Sequence, residues 1–509
     1  MRELYNLAIK LYNENRYADA KIIIKYILPQ NSLNGDVYNT FGMIEQSLNN
    51  NDEAKKFFKI ANLLAPENRV FIKNLENSFT NIEGLSTNDD KKTVIISGHL
   101  PIDNTGYSKQ TYYLAKILVE NEYNVKIIGW NATNMKGLQF VELNYKQLYN
   151  IFNNLINFKN FEENNPEKLD TLKKINYYTA LEPNFPSFLQ SNEYFDIIIK
   201  KVKPEFIIFL QDIYVMKFSR FLCPTISWLP VHSEPLDKLA YSSGKKFDSF
   251  VALSEFGKKQ ISEKFKDKLI TNIPHIIDDD IFYVKNDKDY VNNLRDKYEI
   301  EHDCFVCLII SNNSEKENRK AFDVNIGGFS DYLSKNNNIH LHIHTDVELG
   351  FNILDFLKEC NIPKNKYTIC NQEMYKKKRY SDKDIADLYR MSDVLLYSTD
   401  VEGFGLPMLE AQSCNCPVIV NNFSTPPEYT KYGIVCEISE KIYKPDFDAY
   451  SSKPSRKNLT KALEEIFNWD RETHTKLQLE AKKLLEKFKY HNIKNLWMEH
   501  INVFTDKYL

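Results

Sequence analysis

Apolar positions along the chain keep two rhythms, and the change between them falls near residue 90. Over the first 80 residues they recur at helical spacing, and the pattern itself repeats. Ala8 and Gly42, Ala20 and Ala54, Ile24 and Phe58, Ile27 and Ala61 each stand 34 positions apart. Small residues at the first pairs let two antiparallel helices approach closely, and Ile24 and Phe58 fill the space between repeats. "NENRY" (13–17) and "LNNND" (48–52) supply the turns, Pro66 closes the second unit, and "RVFIKNLENSF" predicts a capping helix with a more polar outer side. An unrelated helical bundle is the alternative for this stretch. Residues 82–92, "IEGLSTNDDKK", are polar, aperiodic and carry a glycine, so they read as a linker.

Past the linker, short apolar runs alternate with amphipathic helices. "TVIISG", "NVKIIGW", "EFIIFLQD", "CPTISWLPVH" and "SFVALS" read as strands, each followed by helical or loop sequence. After "IIDDDIFYVKNDKDY" a second series follows: "CFVCLIIS", "IHLHIHT", "KYTIC", "DVLLYST" and "PVIVNN". Strand–helix alternation of this kind predicts parallel, doubly wound sheets. The expected layout is therefore a small all-α domain at 1–85, Rossmann-like α/β domains at 93–283 and 284–485, and a terminal helix at 486–509.

Composition narrows the function classes. The 509 residues exceed one hydrophobic core. With 66 basic and 69 acidic residues the net charge is −3, which argues against nucleic acid as partner. The N-terminus does not read as a signal peptide and no run reaches the length of a membrane span, so a cytoplasmic chain, at most peripherally membrane-associated, is expected. Eight cysteines in this length do not make a disulfide scaffold. Cys304 and Cys307 lie in a buried-strand pattern, Cys414 and Cys416 lack partner pairs, and no metal site is expected.

The chemistry concentrates at "STDVEGFGLPMLEAQ" (398–412). "DVLLYST" is a buried parallel strand, and Pro407 suits a first helical turn, where its missing N–H costs nothing. Gly403 and Gly405 then lie in a loop entering a helix N-terminus at the carboxyl edge of a sheet, where open α/β folds bind ligands. Free N–H groups and the helix dipole favour an anion there. Glu402 in the loop and Glu410, expected in the first helical turn, cannot hold a phosphate and suit hydroxyl groups instead. A phosphate flanked by hydroxyl-bearing groups describes a nucleotide-sugar.

The run "YRMSDVLLYSTDVEGFGLPMLEAQSCNCPVIV" resembles the retaining glycosyltransferases of family 4, whose signature is two glutamates separated by seven residues in an EGFGLP-type loop. The resemblance covers roughly residues 93–500 and implies the B-type glycosyltransferase fold. It implies that Glu402 contacts the donor sugar, that Glu410 contacts the nucleotide ribose, and that backbone amides of Phe404, Gly405 and Leu406 hold sugar and phosphate. "SGHLPIDNTGYSKQTYYLAKIL" is similar to the family's first glycine-rich loop, with Gly106 carried over. His232, in "SWLPVHSEPL", stands where a histidine touches the donor sugar; Asp212 ends the preceding strand. Lys320, with Arg319 beside it, is expected on the donor pyrophosphate. The family's earlier clamp arginine is replaced by Asn312 or Asn313, and the inter-domain Asn-Gly by His275-Ile276. Asn415 replaces a turn glycine and tolerates positive φ. Glu428 is expected near the nucleotide edge, and "YKKKRY" (375–380) reads as a solvated loop. The first 80 residues resemble tetratricopeptide repeats, which implies a protein- or peptide-binding surface.

The expected activity is retaining transfer from a nucleotide-sugar donor, as co-substrate with no other cofactor, to a glycan or protein acceptor, with residues 1–85 recruiting a protein partner. A non-catalytic scaffold and a nucleotide-sugar epimerase are the alternatives.

Overall fold

The computed structural model describes residues 2–28, 34–64, 68–77, 91–102, 105–129, 142–152, 161–163, 165–179, 192–213, 221–285 and 287–509. Pro66 and all but the end of the 82–92 linker lie outside these residues.

Five helices come first: α1 (Arg2–Asn13), α2 (Tyr17–Ile27), α3 (Gly35–Ser47), α4 (Asn51–Leu64) and α5 (Arg69–Asn77). α1 packs on α2 and α3 on α4. Both pairs turn the same way: Asn15 and Asn49 each adopt φ 60°, a left-handed conformation that asparagine accepts readily. A Cβ on Gly42 would fall 2.5 Å from the Phe58 ring, so the close approach of α3 and α4 requires glycine. Ala8, Ala20, Ile24 and Ile27 bury against Phe41 and Ile44. Ala54 and Phe58 instead join a cluster with Phe195, Ile198 and Ile95. The helical module therefore rests on the α/β domain that follows it.

That domain is an eight-stranded sheet of β1 (Thr93–Gly98), β2 (Asn124–Gly129), β3 (Glu142–Leu143), β4 (Asn176–Thr179), β5 (Phe206–Leu210), β6 (Thr225–Leu229), β7 (Ser249–Ala252) and β8 (Leu269–Asn272). The order is β3-β4-β2-β1-β5-β6-β7-β8. All neighbours run parallel except β3 against β4. Successive side chains feed opposite faces: Val94, Ile96, Phe206 and Ile208 enter one apolar cluster, Ile95, Ile207 and Phe209 the other. This is why the strands read as continuous apolar runs.

A six-stranded parallel sheet follows, made of β9 (Phe305–Ile310), β10 (Ile339–His344), β11 (Tyr367–Ile369), β12 (Val394–Leu396), β13 (Val418–Asn421) and β14 (Gly433–Cys436). Its order is β11-β10-β9-β12-β13-β14. Strand order reverses between β1 and β5 in one sheet and between β9 and β12 in the other. The loops after β1, β9 and β12 thus stand at the positions where such sheets take ligands. An antiparallel hairpin, β15 (Glu440–Lys444) and β16 (Ala449–Lys453), leaves the second sheet. The helix Tyr490–Tyr508 returns to the first domain, where Trp497 meets Trp228 edge-on at 5.0 Å and His500 bonds Ser249 and Thr271.

Candidate active site

The loop after β12 delivers the chain to the helix Leu406–Ser413. Gly405 adopts φ +91°, strained for any residue with a Cβ. Gly403 serves close approach instead: a Cβ there would lie 3.0 Å from Pro230 of the first domain. A Cβ on Gly106 would likewise lie 2.9 Å from Leu406 Cδ1. Gly106 opens α6 (Gly106–Glu120), so the N-termini of α6 and of Leu406–Ser413 meet across the cleft. Phe404 is buried, its ring edge-on to His275 at 4.8 Å and to Tyr429 at 5.4 Å. That packing fixes the backbone of residues 404–406.

Glu402 accepts from Lys320 Nζ at 2.6 Å and from the Tyr397 hydroxyl at 2.7 Å. Burial raises its pKa, but Lys320 and then Arg319 outweigh burial and hold it at about 2. Glu402 is therefore an ionised, buried carboxylate at neutral pH. Arg319 donates two hydrogen bonds of 2.8 Å to Glu315 and one of 3.3 Å to the Val401 carbonyl. Asn325 braces the two loops: its amide donates to the carbonyls of Ala321 and Ser398, and its oxygen accepts from Ser398 N–H.

Glu410 lies in the second turn of its helix, not the first, because the helix begins only at Leu406. Its Oε2 accepts from the Tyr389 hydroxyl at 3.0 Å, and its Oε1 stands 3.6 Å from Lys109 Nζ of the first domain. Lys109 also pairs with Asp382 at 2.7 Å. Burial raises the Glu410 pKa, with Lys109 opposing; at Asp382 burial is outweighed by Lys109 and the pKa falls. One cation thus joins two carboxylates of the other domain.

His232 is half-buried, beside Asp212 and Glu315. Burial raises the Asp212 pKa against the pull of His232 in the same domain and of Arg319 in the other, so Asp212 lies within electrostatic reach of both. Asp400 is pushed up to about 7 by burial. His275 is buried and its pKa falls to about 3 for the same reason. Ile276 exchanges two backbone hydrogen bonds of 2.9 Å with the Gln110 side chain.

Asn312 and Asn313, either of which is expected to replace the clamp arginine, do different work. Asn313 is buried and holds the 346–351 loop through Asp346 and Phe351 carbonyls, while Asn312 bonds Ser314. Glu428 accepts from the backbone N–H groups of Glu255 and Phe256 at 3.0 and 3.1 Å, capping a first-domain helix from the second domain. Asn415 adopts φ 68°. The exposed Lys376 pairs with Glu348 at 3.3 Å. Among the described residues no cluster of three or more His, Cys, Asp or Glu could hold a metal ion, and no helix is long and apolar enough to cross a membrane.

Residues 363–447 match the glycosyl transferases group 1 family. Glu402, the glycine loop, Glu410, Asp382 and Tyr389 all fall inside that group 1 segment; Gly106, Lys109, His232, Arg319 and Lys320 fall outside it. Over 47 residues the chain is 45% identical to O-antigen chain mannosyltransferase B of Escherichia coli, a match covering 9% of this chain and 12% of that protein. The structure is similar to a glycosyltransferase from Rickettsia africae, with a TM-score of 0.56 at 15% identity, covering 82% of this chain and 99% of the other. It is also similar to Anabaena HepE in complex with UDP and glucose, with a TM-score of 0.54 at 12% identity over 81% of this chain and 100% of that one. At these identities the likeness shows the fold, that of B-type glycosyltransferases.

Sequence reasoning missed Lys109, Asp382, Tyr389, Tyr397 and Asn325. Lys109 follows Gly106 by one helical turn, a weak signal; Asp382 carries none until the domains are brought together, and Tyr389, Tyr397 and Asn325 none until the second domain folds.

Proposed function

We propose that the chain is a retaining glycosyltransferase using a nucleoside diphosphate sugar as donor and a glycan or protein hydroxyl as acceptor. The observation that carries this reading is one grouping at the carboxyl edges of both sheets. An ionised buried carboxylate, Glu402, sits with its lysine beside two opposed helix N-termini. A helix N-terminus favours a phosphate, and a carboxylate held ionised accepts from sugar hydroxyls. HepE, a neighbour in fold, binds UDP and glucose, which supports a nucleotide donor.

In this reading Glu402 and His232 orient the donor sugar and Glu410 accepts from the ribose. The amides of Phe404, Gly405 and Leu406, with the α6 terminus at Gly106, hold the phosphates. The acceptor oxygen bonds to the anomeric carbon on the face from which the diphosphate departs. The anomeric bond to phosphate breaks, and the hydroxyl proton passes to the departing phosphate oxygen. Lys320, supported by Arg319, offsets the charge that grows on the diphosphate. The helical module is assigned to tetratricopeptide repeats that recruit a protein partner, and the chain to the cytoplasm. A scaffold with a decayed transferase is the second reading, favoured by the loss of a cation at Asn312 and Asn313.

Calorimetric titration with UDP, GDP and ADP tests the proposal. One of them binds, Glu410→Ala weakens it, and Glu402→Gln spares it while lowering transfer. Lys320→Ala lowers turnover by about 10²–10³-fold, the scale of one lost electrostatic donor. Absence of binding by all three nucleotides refutes the donor assignment.

A further inference from the structure

Three large apolar side chains left exposed fall within one hairpin: Tyr443 (48%), Phe447 (42%) and Tyr450 (40%). Scattered exposed apolar residues are ordinary, but a cluster on one ordered element marks a contact surface. β15 and β16 set Tyr443 directly opposite Tyr450, with ring centroids 5.3 Å apart.

The hairpin is gripped from both sides of the cleft. At its base Ser452 donates to the Asp400 carbonyl through N–H at 3.1 Å and Oγ at 2.6 Å. At its outer end Tyr450 N–H donates to the Glu234 carbonyl and Lys238 N–H to the Phe447 carbonyl, each at 2.8 Å; nearer the base, Lys441, opposite Ser452, pairs with the Glu234 carboxylate. Asp400 stands two residues before Glu402, and Glu234 two residues after His232. Side chains directly opposite on paired strands share a face, so Lys441 and Ser452 share theirs with Tyr443 and Tyr450. That face rests at Ser452 on the Asp400 loop and continues outward as the two tyrosines. The hairpin therefore links the segment that carries Glu402 to the segment that carries His232, the two residues assigned to the donor sugar.

We propose that the Tyr443–Tyr450 face is the acceptor platform and that the acceptor is a carbohydrate chain. This deepens the transferase reading and rests on it. A pyranose ring has an apolar C–H face and a hydroxyl edge; two adjacent rings bordered by Lys441 and Asp448 match both. Tyr443 donates to Asp448 at 2.6 Å, which holds its ring in place. Aromatic side chains present such a surface with little rotamer freedom to lose. The two rings are tilted 57° to one another, with charges of both signs, Lys441 and Asp448, at their margin.

Saturation-transfer NMR on the full chain tests this, with mannotetraose, maltotetraose and chitotetraose as probes and UDP, GDP and ADP in a separate arm. One tetrasaccharide receives saturation at its ring C–H protons. The signal falls about fivefold in Tyr443→Ala/Tyr450→Ala, the scale of a lost aromatic stack, and persists in Tyr443→Phe/Tyr450→Phe. Nucleotide signals stay unchanged in both variants. Equal tetrasaccharide signals in wild type and the alanine variant, or none in the wild type, overturn the platform. Nucleotide loss in the alanine variant alone also overturns it, since the hairpin then acts as a structural strap. Absence of nucleotide signal in the wild type counts against the donor reading, while the tetrasaccharide arm still decides the platform.

Discussion

Replacing Lys320 by methionine leaves Glu402 buried without its cation. The side chains of Lys320 and Glu402 are only 12% and 13% exposed, so solvent does little to screen the pair. Depression of the Glu402 pKa from 4.5 to about 2 corresponds to about 3 kcal/mol at neutral pH. The cost of breaking a buried pair is of the same order, about 3–5 kcal/mol. Lys320→Met is therefore expected to lose about 3 kcal/mol at pH 7, Arg319 retaining part of the attraction. The pH dependence has a definite sign. In the wild type the Glu402 contribution is present above pH 4.5 and fades as pH falls toward about 2. In the variant burial acts with less opposition, so Glu402 titrates higher and takes up a proton earlier. The stability gap between the two proteins must narrow as pH falls from about 7 to about 4. Urea unfolding followed by tryptophan fluorescence measures it, Trp469 reporting from the second domain beside Tyr432 and His474. Adding Glu402→Gln to Lys320→Met should restore most of the loss. A gap that is constant with pH, or a double variant no more stable than the single, refutes the ion-pair account.

Lys109→Met strands Asp382 and Glu410 together and is expected to cost about 3 kcal/mol by urea unfolding, with Asp382→Asn recovering part; full stability without Lys109 would show that the triad does not hold the domains. Gly405→Ala forces a Cβ into φ +91° against Met408, so it should lose about 1–2 kcal/mol and weaken nucleotide affinity in calorimetry. Excess chelator should leave transfer unchanged, because the charge at the diphosphate is assigned to Lys320, Arg319 and helix termini; loss restored by manganese would contradict that assignment. Deleting residues 1–85 should preserve nucleotide binding and slow donor hydrolysis while reducing transfer to the native acceptor, and an unaltered rate would remove the recruiting role.

The chain by itself determined what depends on neighbouring residues. Strands such as "TVIISG" and "CFVCLIIS" are legible because a strand buried on both faces is a continuous apolar run, and the glycine loop because Pro407 and Gly405 mark a helix start locally. The 34-residue repeat surfaces again as matched φ values at Asn15 and Asn49, a local property. β3, β4, β8 and β14 were missed: β3 is two residues long, and β8 is only half-buried. Lys109 reads as an ordinary exposed helical lysine until domain packing sets it between Asp382 and Glu410. Asn312 or Asn313 is expected at the clamp position, and only the fold shows that the Asn313 amide is already committed to the 346–351 loop. Glu428 caps a helix of the other domain, and β15–β16 grips the segment after His232. Periodicity encodes which face of an element is apolar, but a charge's partner is chosen by which burial leaves no carboxylate or N–H unpaired, and that is settled only when both sheets close on the cleft.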